Sequence, residues 1–294
     1  MALLDVFFWN ILTATCVGFA LSAIGVQFFL RSQSLRPLSI SQLSIFIFLV
    51  LDSLNQHSVF LSPIGGYEPP QRVFLAAVFL VIVIEAIVDF FIKRRTSREL
   101  RARIETPLFV YLALTGLTHW FHEVFEVHHS PLDFLSHRSV MSLTKPECFL
   151  MMGLSFFSGL FLLPFWKRMT LGGFFSALGH EVPKGLNLEV INRIWRVTSL
   201  TALCLFTLNF GQIWTLSIMF IPSQFLGLMG IRGHRLFVFL CLFVGSMGPL
   251  IGFLLSVKFE SWPTTSSTIL VTIFLSFVLG MLAKVKGARG DFKT

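Results

Sequence analysis

The chain has 294 residues, of which 54% are apolar or aromatic and 13% are charged, and its net charge is +8. Soluble domains are about one quarter charged, so this composition excludes a water-soluble enzyme, a secreted disulfide scaffold and a disordered protein. What remains is an all-α, polytopic bundle of transmembrane helices. At about 20 residues per crossing, the length predicts about eight or nine spans in a single membrane domain over residues 1–294, with no separate soluble domain.

Long apolar runs interrupted by Pro, Gly or charge define nine candidate spans. The second and sixth runs are short or polar enough to predict a tilted or partly re-entrant segment. The first run has no basic residues before it and no small-residue cleavage site, so we expect it to remain as a span. The nine predicted spans are 7–30, 38–54, 72–92, 106–125, 147–166, 193–209, 212–230, 236–257 and 266–283.

The basic residues alternate between the connections of these spans. Of the 23 Lys and Arg, 19 lie in every second connection, and the others hold only Arg72, Arg138, Lys145 and Lys258. Lys and Arg accumulate on the cytoplasmic side of membrane proteins. The asymmetry therefore predicts an outer N-terminus and a cytoplasmic C-terminus. The basic clusters form no continuous stripe, so we expect no nucleic-acid partner.

Imidazole and carboxylate side chains cluster at the outer end of the fourth span. The first four lie on one helix face and two follow in the next connection; they are His119, His122, Glu123, Glu126, His128 and His129. These groups suit zinc, manganese and ferrous iron, which predicts a metal-receiving vestibule at the outer mouth. The alternative interpretation is a set of polar residues at the water interface, where amphipathic rings are common.

Two carboxylates fall inside the third span, where ionisable residues are candidates for function. Glu85 and Asp89 lie four residues apart, so both can face one polar cavity. The alternative is structural, because Lys93 lies four residues beyond Asp89 and can pair with it.

Other residues within the spans are expected to serve packing or solvation. Gly248, Gly252 and Ser256 form a row of small residues that predicts close helix packing within the bundle. A solvated polar rim is expected at the outer end of the second span, formed by Asp52, Asn55, Gln56 and His57. The cysteines form no paired framework and are expected to be packed or lipid-facing thiols; they are Cys16, Cys148, Cys204 and Cys241.

Motifs for catalysis are missing from the sequence. No Gly-rich phosphate loop with Lys and Ser or Thr is present, and neither a nucleophile elbow nor an HExxH motif occurs. We therefore expect no enzymatic activity in this chain, and any ATP hydrolysis is expected in a partner.

The connection at 167–192 is longer than neighbouring helices need and reads KRMTLGGFFSALGHEVPKGLNLEVIN. After a Gly-Gly break it carries an apolar face at helical spacing, and it stops at Pro183. This pattern predicts a short cytoplasmic helix within 172–186 that needs a partner surface. The alternative is an amphipathic helix lying on the membrane. The apolar face consists of Phe174, Phe175, Leu178 and Val182.

This segment resembles the cytoplasmic segment of bacterial metal-ion ABC permeases of the zinc, manganese and iron uptake family. Ala177 and Gly179 stand where that family has the small residues of its short helix. Four other stretches are similar to motifs of the family in the same order: 14–35 (ATCVGFALSAIGVQFFLRSQSL), 132–147 (LDFLSHRSVMSLTKPE), 210–224 (FGQIWTLSIMFIPSQ) and 248–270 (GPLIGFLLSVKFESWPTTSSTIL).

The resemblance implies the transmembrane permease subunit of an ATP-driven ABC importer for zinc, manganese or iron. Its expected partners are a cytoplasmic ATPase, a second permease copy or a paralogue, an extracytoplasmic metal-binding protein and membrane lipid. No permanently bound cofactor is expected, and ATP acts only through the partner subunit. The residues implied in ATPase coupling are Phe174, Phe175, Ala177, Leu178 and Gly179.

The sequence departs from the family at its intramembrane metal site. Family members have Asp and His four residues apart after the first inner connection, where this chain has Leu38 and Gln42. Leucine has no ligand atom, and a glutamine amide oxygen is a weak ligand for zinc. Gln42 is the residue expected to line the translocation path.

Two other functions stay open at this point. A stand-alone secondary transporter needs ionisable residues at the middle of the bilayer, and this chain has few. A membrane metalloenzyme using the histidines of 119–129 needs several His clusters converging on one side of the membrane, and only one is evident.

Overall fold

In the computed structural model, the described residues are 2–30, 35–58, 71–95, 110–120, 143–160, 166, 170, 188–231, 234–259 and 262–290. They form helices and, within these ranges, no strands. The helices are α1 (Ala2–Leu30), α2 (Arg36–Ser58), α3 (Gln71–Arg95), α4 (110–120), α5 (Lys145–Ser155, continued by a π-helical turn at Phe156–Leu160), α6 (Leu188–Phe210), α7 (Gln212–Leu228), α8 (His234–Lys258) and α9 (Thr264–Gly290).

Each predicted span overlaps one of these helices. The second and sixth, α2 and α6, are continuous over 23 residues each. Neither helix is interrupted, and a tilted or partly re-entrant course in the membrane stays a prediction. By length and composition, four helices of the described part are able to cross a bilayer: Phe7–Leu30, Arg36–Leu54, His234–Lys258 and Thr264–Lys284. The count of nine spans and the orientation of the termini stay predictions.

The chain divides into two compact units. The first unit comprises Met1–Ser34, Ser139–Thr198 and Ile213–Thr294, and the second comprises Leu35–Arg138 and Ser199–Gln212. Helix α6 therefore contributes its N-terminal half to the first unit and its C-terminal half to the second. The single membrane domain over 1–294 stays a prediction.

Prolines inside α7 and α8 each free one carbonyl in the first unit. Because proline has no N–H, Pro222 cannot bond to the carbonyl of Ile218, and Pro249 cannot bond to that of Gly245. Ser22 of α1 donates its hydroxyl to the Ile218 oxygen at 3.3 Å. An unpaired carbonyl in hydrocarbon costs several kcal/mol, so Ser22 replaces the hydrogen bond that Pro222 removes.

Helices α1 and α8 approach each other closely at two glycines. A Cβ added at Gly18 would overlap the carbonyl oxygen of Gly245 and would lie 2.7 Å from Cγ of Pro249. A Cβ added at Gly245 would overlap the side chain of Ser22. Only glycine allows this approach, because any larger residue would force the two backbones apart.

The predicted row of small residues in α8 packs against α9. A Cβ at Gly248 would overlap the hydroxyl of Thr272, and one at Gly252 would overlap the backbone of Thr268. Ser256 is buried in the same face. The prediction of close packing within the bundle is confirmed.

The four cysteines are free thiols, and their side chains are buried or half-buried within the protein. Cys148, Cys204 and Cys241 are buried, and Cys16 is half-buried. The prediction of unpaired, packed thiols is confirmed for all four.

Candidate functional site

The second unit has a polar interior centred on α2. Polar side chains in a membrane bundle need partners inside the protein, because lipid offers none. Helix α2 makes polar contacts to α3, to α4 and to the 199–212 part of the second unit. The polar interior consists of Arg36, Ser41, Gln42 and Ser44 from α2, Glu85 from α3, Thr118 from α4, and Cys204 and Gln212.

Gln42, the residue predicted to line the translocation path, connects α2 to α4. It is 5% exposed, and its Nε2 donates to Oγ1 of Thr118 at 3.2 Å. The Thr118 hydroxyl donates its one proton to the carbonyl of Leu114 at 2.7 Å. Thr118 can therefore only accept from Gln42. This fixes the orientation of the Gln42 amide, whose oxygen takes no part in the contact.

Two further contacts join α2 to the 199–212 segment. Gln212 donates from Nε2 to Oγ of Ser41 at 2.9 Å, and Oγ of Ser44 lies 3.1 Å from Sγ of Cys204.

Leu38 is the other position at which the metal-ion permease family has a metal ligand. It lies in the first turn of α2, and its backbone amide donates to the carbonyl of Leu35 at 3.2 Å. All the groups in these contacts are neutral.

Arg36 and Glu85 form the ion pair of the polar interior. Nη2 of Arg36 lies 2.5 Å from Oε2 of Glu85, and the two side chains are 19% and 11% exposed. The ion pair supports the structural interpretation of Glu85 over the open polar cavity. Its partner comes from α2, 49 residues away, a separation that no helical spacing could reveal. The side chains of Asp89 and Lys93 lie outside the described residues.

Replacing Glu85 by alanine is expected to lower the free energy of unfolding by about 2–3 kcal/mol, because it removes the carboxylate that is ion-paired with the partly buried Arg36 guanidinium. The double variant Arg36→Met with Glu85→Met should recover most of this loss, since two apolar side chains can replace a buried ion pair. Thermal unfolding in detergent measures both. A double variant as unstable as Glu85→Ala would contradict this role of the ion pair.

The prediction of a solvated rim is wrong for Asp52. Its side chain is 0% exposed. Helix α2 continues to Ser58, so Asp52 lies more than a full turn inside the helix. One turn before it, Phe48 packs on Phe74 of α3 with ring centroids 4.9 Å apart, and this packing of α2 on α3 covers the segment. The side chains of Asn55, Gln56 and His57 lie outside the described residues.

The predicted metal-receiving cluster is described at one position. His119 is exposed on α4. The remaining members lie outside the described residues: His122, Glu123, Glu126, His128 and His129. Within the described ranges, no three His, Cys, Asp or Glu side chains come together to hold a metal ion.

The predicted ATPase-coupling residues also lie outside the described part of the chain: Phe174, Phe175, Ala177, Leu178 and Gly179. The structure does describe Trp166 and Thr170, which precede that segment in the first unit. Their contacts with α1 are the nearest described link to it. The coupling helix at 172–186 stays a prediction.

No protein-family description and no curated protein matches this sequence. Among solved structures, the chain is similar to PsaBC from Streptococcus pneumoniae in complex with Fab, with a TM-score of 0.64 and 16% sequence identity. The match covers 93% of this chain and 90% of that chain. The likeness confirms the predicted fold class, an all-α transmembrane bundle like that of ABC importer permeases.

Proposed function

We propose that the chain is the transmembrane permease subunit of an ATP-driven importer for a divalent metal ion, namely zinc, manganese or iron. The observation that carries this proposal is the fold likeness over 93% of the chain at a TM-score of 0.64. The ordered motifs that resemble metal-ion ABC permeases support it independently, because they follow the same order along the chain. The proposed location is the bacterial inner membrane.

The proposed assembly gives each partner a separate task. A cytoplasmic ATPase hydrolyses ATP and docks on the helix at 172–186. A second permease copy or a paralogue completes the membrane part, and an extracytoplasmic binding protein delivers the metal. Alternation between inward-facing and outward-facing states follows the closing and opening of the ATPases.

The neutral groups of the polar interior, around Gln42, form the proposed translocation path. Gln42, Thr118 and Ser41 offer neutral oxygen atoms, which bind a divalent cation more weakly than carboxylate or imidazole. Transport requires binding that is strong enough for entry and weak enough for release. A path of amides and hydroxyls binds the ion weakly enough for release. Tight capture of the metal is then expected from groups outside the membrane.

Reconstitution into liposomes tests the proposal. The chain is combined with the ATPase and the binding protein from neighbouring reading frames, and uptake of radioactive zinc, manganese or iron is measured. We expect metal uptake only when ATP is present on the side of the membrane where the ATPase is bound. The control is the same assembly with the Walker lysine of the ATPase replaced, which should be inactive.

A stand-alone secondary transporter is the second candidate, and the burial of the Asp52 carboxylate favours it. Buried carboxylates are the groups that such transporters use to couple protons or sodium. Uptake that persists without the ATPase and follows an imposed proton or sodium gradient would support this candidate and contradict the importer.

The vestibule residues are expected to assist metal capture. Replacing His119, His122 and Glu123 together by alanine should raise the metal concentration for half-maximal uptake about tenfold, which is about 1.4 kcal/mol of binding. Abundance in the membrane should not change. Thr115→Ala, an exposed polar position on α4, is the control. Unchanged uptake in the triple variant would favour the interfacial interpretation.

A further inference from the structure

Three helices of the first unit come together at one end, and contacts between α8 and α9 define where. The two helices are antiparallel, and three contacts fix their register. These contacts pair Gly248 with Thr272, Gly252 with Thr268, and Ser256 with Thr264, whose hydroxyl oxygens lie 3.4 Å apart. Each step of four residues along α8 therefore matches a step of four residues back along α9.

Continued for about three turns, this register places Lys284 of α9 level with Leu236 of α8. The burial of the intermediate pair agrees, because Leu240 and Gly280 are both buried. Helix α7 reaches the same place, since a Cβ added at Gly280 would lie 2.9 Å from Sδ of Met229. The end of α7, the beginning of α8 and the last turns of α9 therefore lie side by side.

Exposed basic side chains occupy this end of the first unit. His234 and Arg235 begin α8, Lys284 lies towards the end of α9, and all three are exposed. These three residues form the basic end. Among the described residues none of them has an ion-pair partner, and α7, α8 and α9 contain no Asp or Glu. A partner for the basic end therefore has to supply the negative charge.

The hydropathy of α8 and α9 places the basic end at the surface of the bilayer. The two helices are apolar enough to cross a membrane over His234–Lys258 and Thr264–Lys284, so both candidate spans reach the surface at the basic end. Exposed apolar side chains follow directly on the membrane side: Leu236, Phe239, Met281 and Leu282. At the end of α7, Leu228 is 86% exposed. Cations and lipid-facing apolar side chains thus adjoin on one surface.

We propose that the basic end binds an anionic phospholipid, with the headgroup phosphate between Arg235 and Lys284. The acyl chains lie along the exposed apolar side chains of α8 and α9. Basic residues at a membrane surface attract anionic lipids, and each increases the affinity about fivefold. The apolar side chains favour a lipid over a soluble anion, because they lie on the bilayer side of the cations, where acyl chains cover them.

A bound headgroup connects two helices, because Arg235 comes from α8 and Lys284 from α9. Anionic lipid should therefore stabilise the first unit where the buried contacts between these helices end. The predicted orientation assigns the site to the cytoplasmic leaflet. The site does not depend on the proposed transport function.

Native mass spectrometry of the full chain in detergent tests the site. The dissociation constant of the first bound lipid is measured for phosphatidylglycerol and for phosphatidylcholine with the same acyl chains, and we expect phosphatidylglycerol to bind more tightly. The double variant Arg235→Gln with Lys284→Gln should weaken phosphatidylglycerol binding about 25-fold, which is fivefold for each charge. Its binding of phosphatidylcholine should not change. Phosphatidylglycerol should also raise its unfolding temperature less than that of the unmodified chain.

The double variant Lys145→Gln with Lys258→Gln is the matched control, because it removes two charges from exposed positions at the opposite end of the first unit. Lys258 ends α8, where Phe253 packs on Phe7 of α1, and Lys145 begins α5, where Phe149 packs on Trp9 of α1. The control should bind phosphatidylglycerol like the unmodified chain. Equal weakening in both double variants would indicate an effect of net charge and would overturn the proposal.

Two other results would overturn the proposal. Inorganic phosphate that displaces phosphatidylglycerol at an equal free concentration would indicate a site for a soluble anion. A variant with Arg235→Gln and Lys284→Gln that keeps its affinity for phosphatidylglycerol would show that no headgroup binds there. If that variant also lost co-purification with the ATPase, the basic end would be a protein contact instead.

Discussion

Replacing Gly18 by leucine is expected to prevent the first unit from folding. The new side chain would overlap the carbonyl oxygen of Gly245 and press on Pro249. Overpacking typically costs about 1–3 kcal/mol when side chains can move. Here the obstacle is the backbone of α8, which cannot rotate away, so we expect a loss of about 3 kcal/mol or more. Most of the protein should then be absent from the membrane, as measured by size-exclusion chromatography and thermal unfolding in detergent.

The matched control for this variant is Gly153→Leu in α5. It makes the same chemical change in a helix, with the same gain in helix propensity, but a Cβ added at Gly153 meets nothing within 4 Å. Gly153→Leu should therefore accumulate and unfold like the unmodified chain. Normal abundance of Gly18→Leu would show that α1 and α8 do not need their close approach.

Replacing Gly179 by arginine is expected to abolish association with the ATPase. Ala177 and Gly179 are the small residues of the predicted coupling helix, and they should allow close approach to a groove of the partner. An arginine at this position adds a long charged side chain where an interface requires a small one. Insertion and abundance should not change, because the predicted coupling helix lies in a connection between two predicted spans. Co-purification with the ATPase measures the effect.

Gly185→Arg is the control, since it places the same residue in the same connection but after Pro183, beyond the apolar face of the predicted coupling helix. It should retain ATPase binding. Retained binding and normal uptake in Gly179→Arg would contradict the coupling assignment and would favour an amphipathic helix on the membrane surface.

Hydropathy and glycine spacing predicted the helices and part of their packing. Apolar runs locate helices well because lipid requires every backbone group to be bonded within its own segment. The close packing at Gly248 and Gly252 could be predicted for a similar reason, since residues four apart share one helix face. Both signals are local, so a single sequence contains them.

The long-range contacts of the polar interior could not be predicted. Nothing in the spacing of α3 indicates that Glu85 pairs with Arg36, because helix periodicity carries no information about a residue on another helix. Asp52 looked like a solvated rim because a carboxylate near a predicted span end is usually exposed. Its burial depends on how far α2 extends and on what covers it, which are properties of the packed helices.

Ser22 controls how dry the first unit remains around Pro222 of α7. A carbonyl without a donor inside a bundle attracts water, and a helix that bends at proline exposes such a carbonyl. Because the Ser22 hydroxyl is bonded to the Ile218 oxygen, the hydrogen bond that Pro222 removes from α7 leaves no unpaired carbonyl there for water to enter. The dryness of this part of the first unit thus depends on a hydroxyl group contributed by the neighbouring helix.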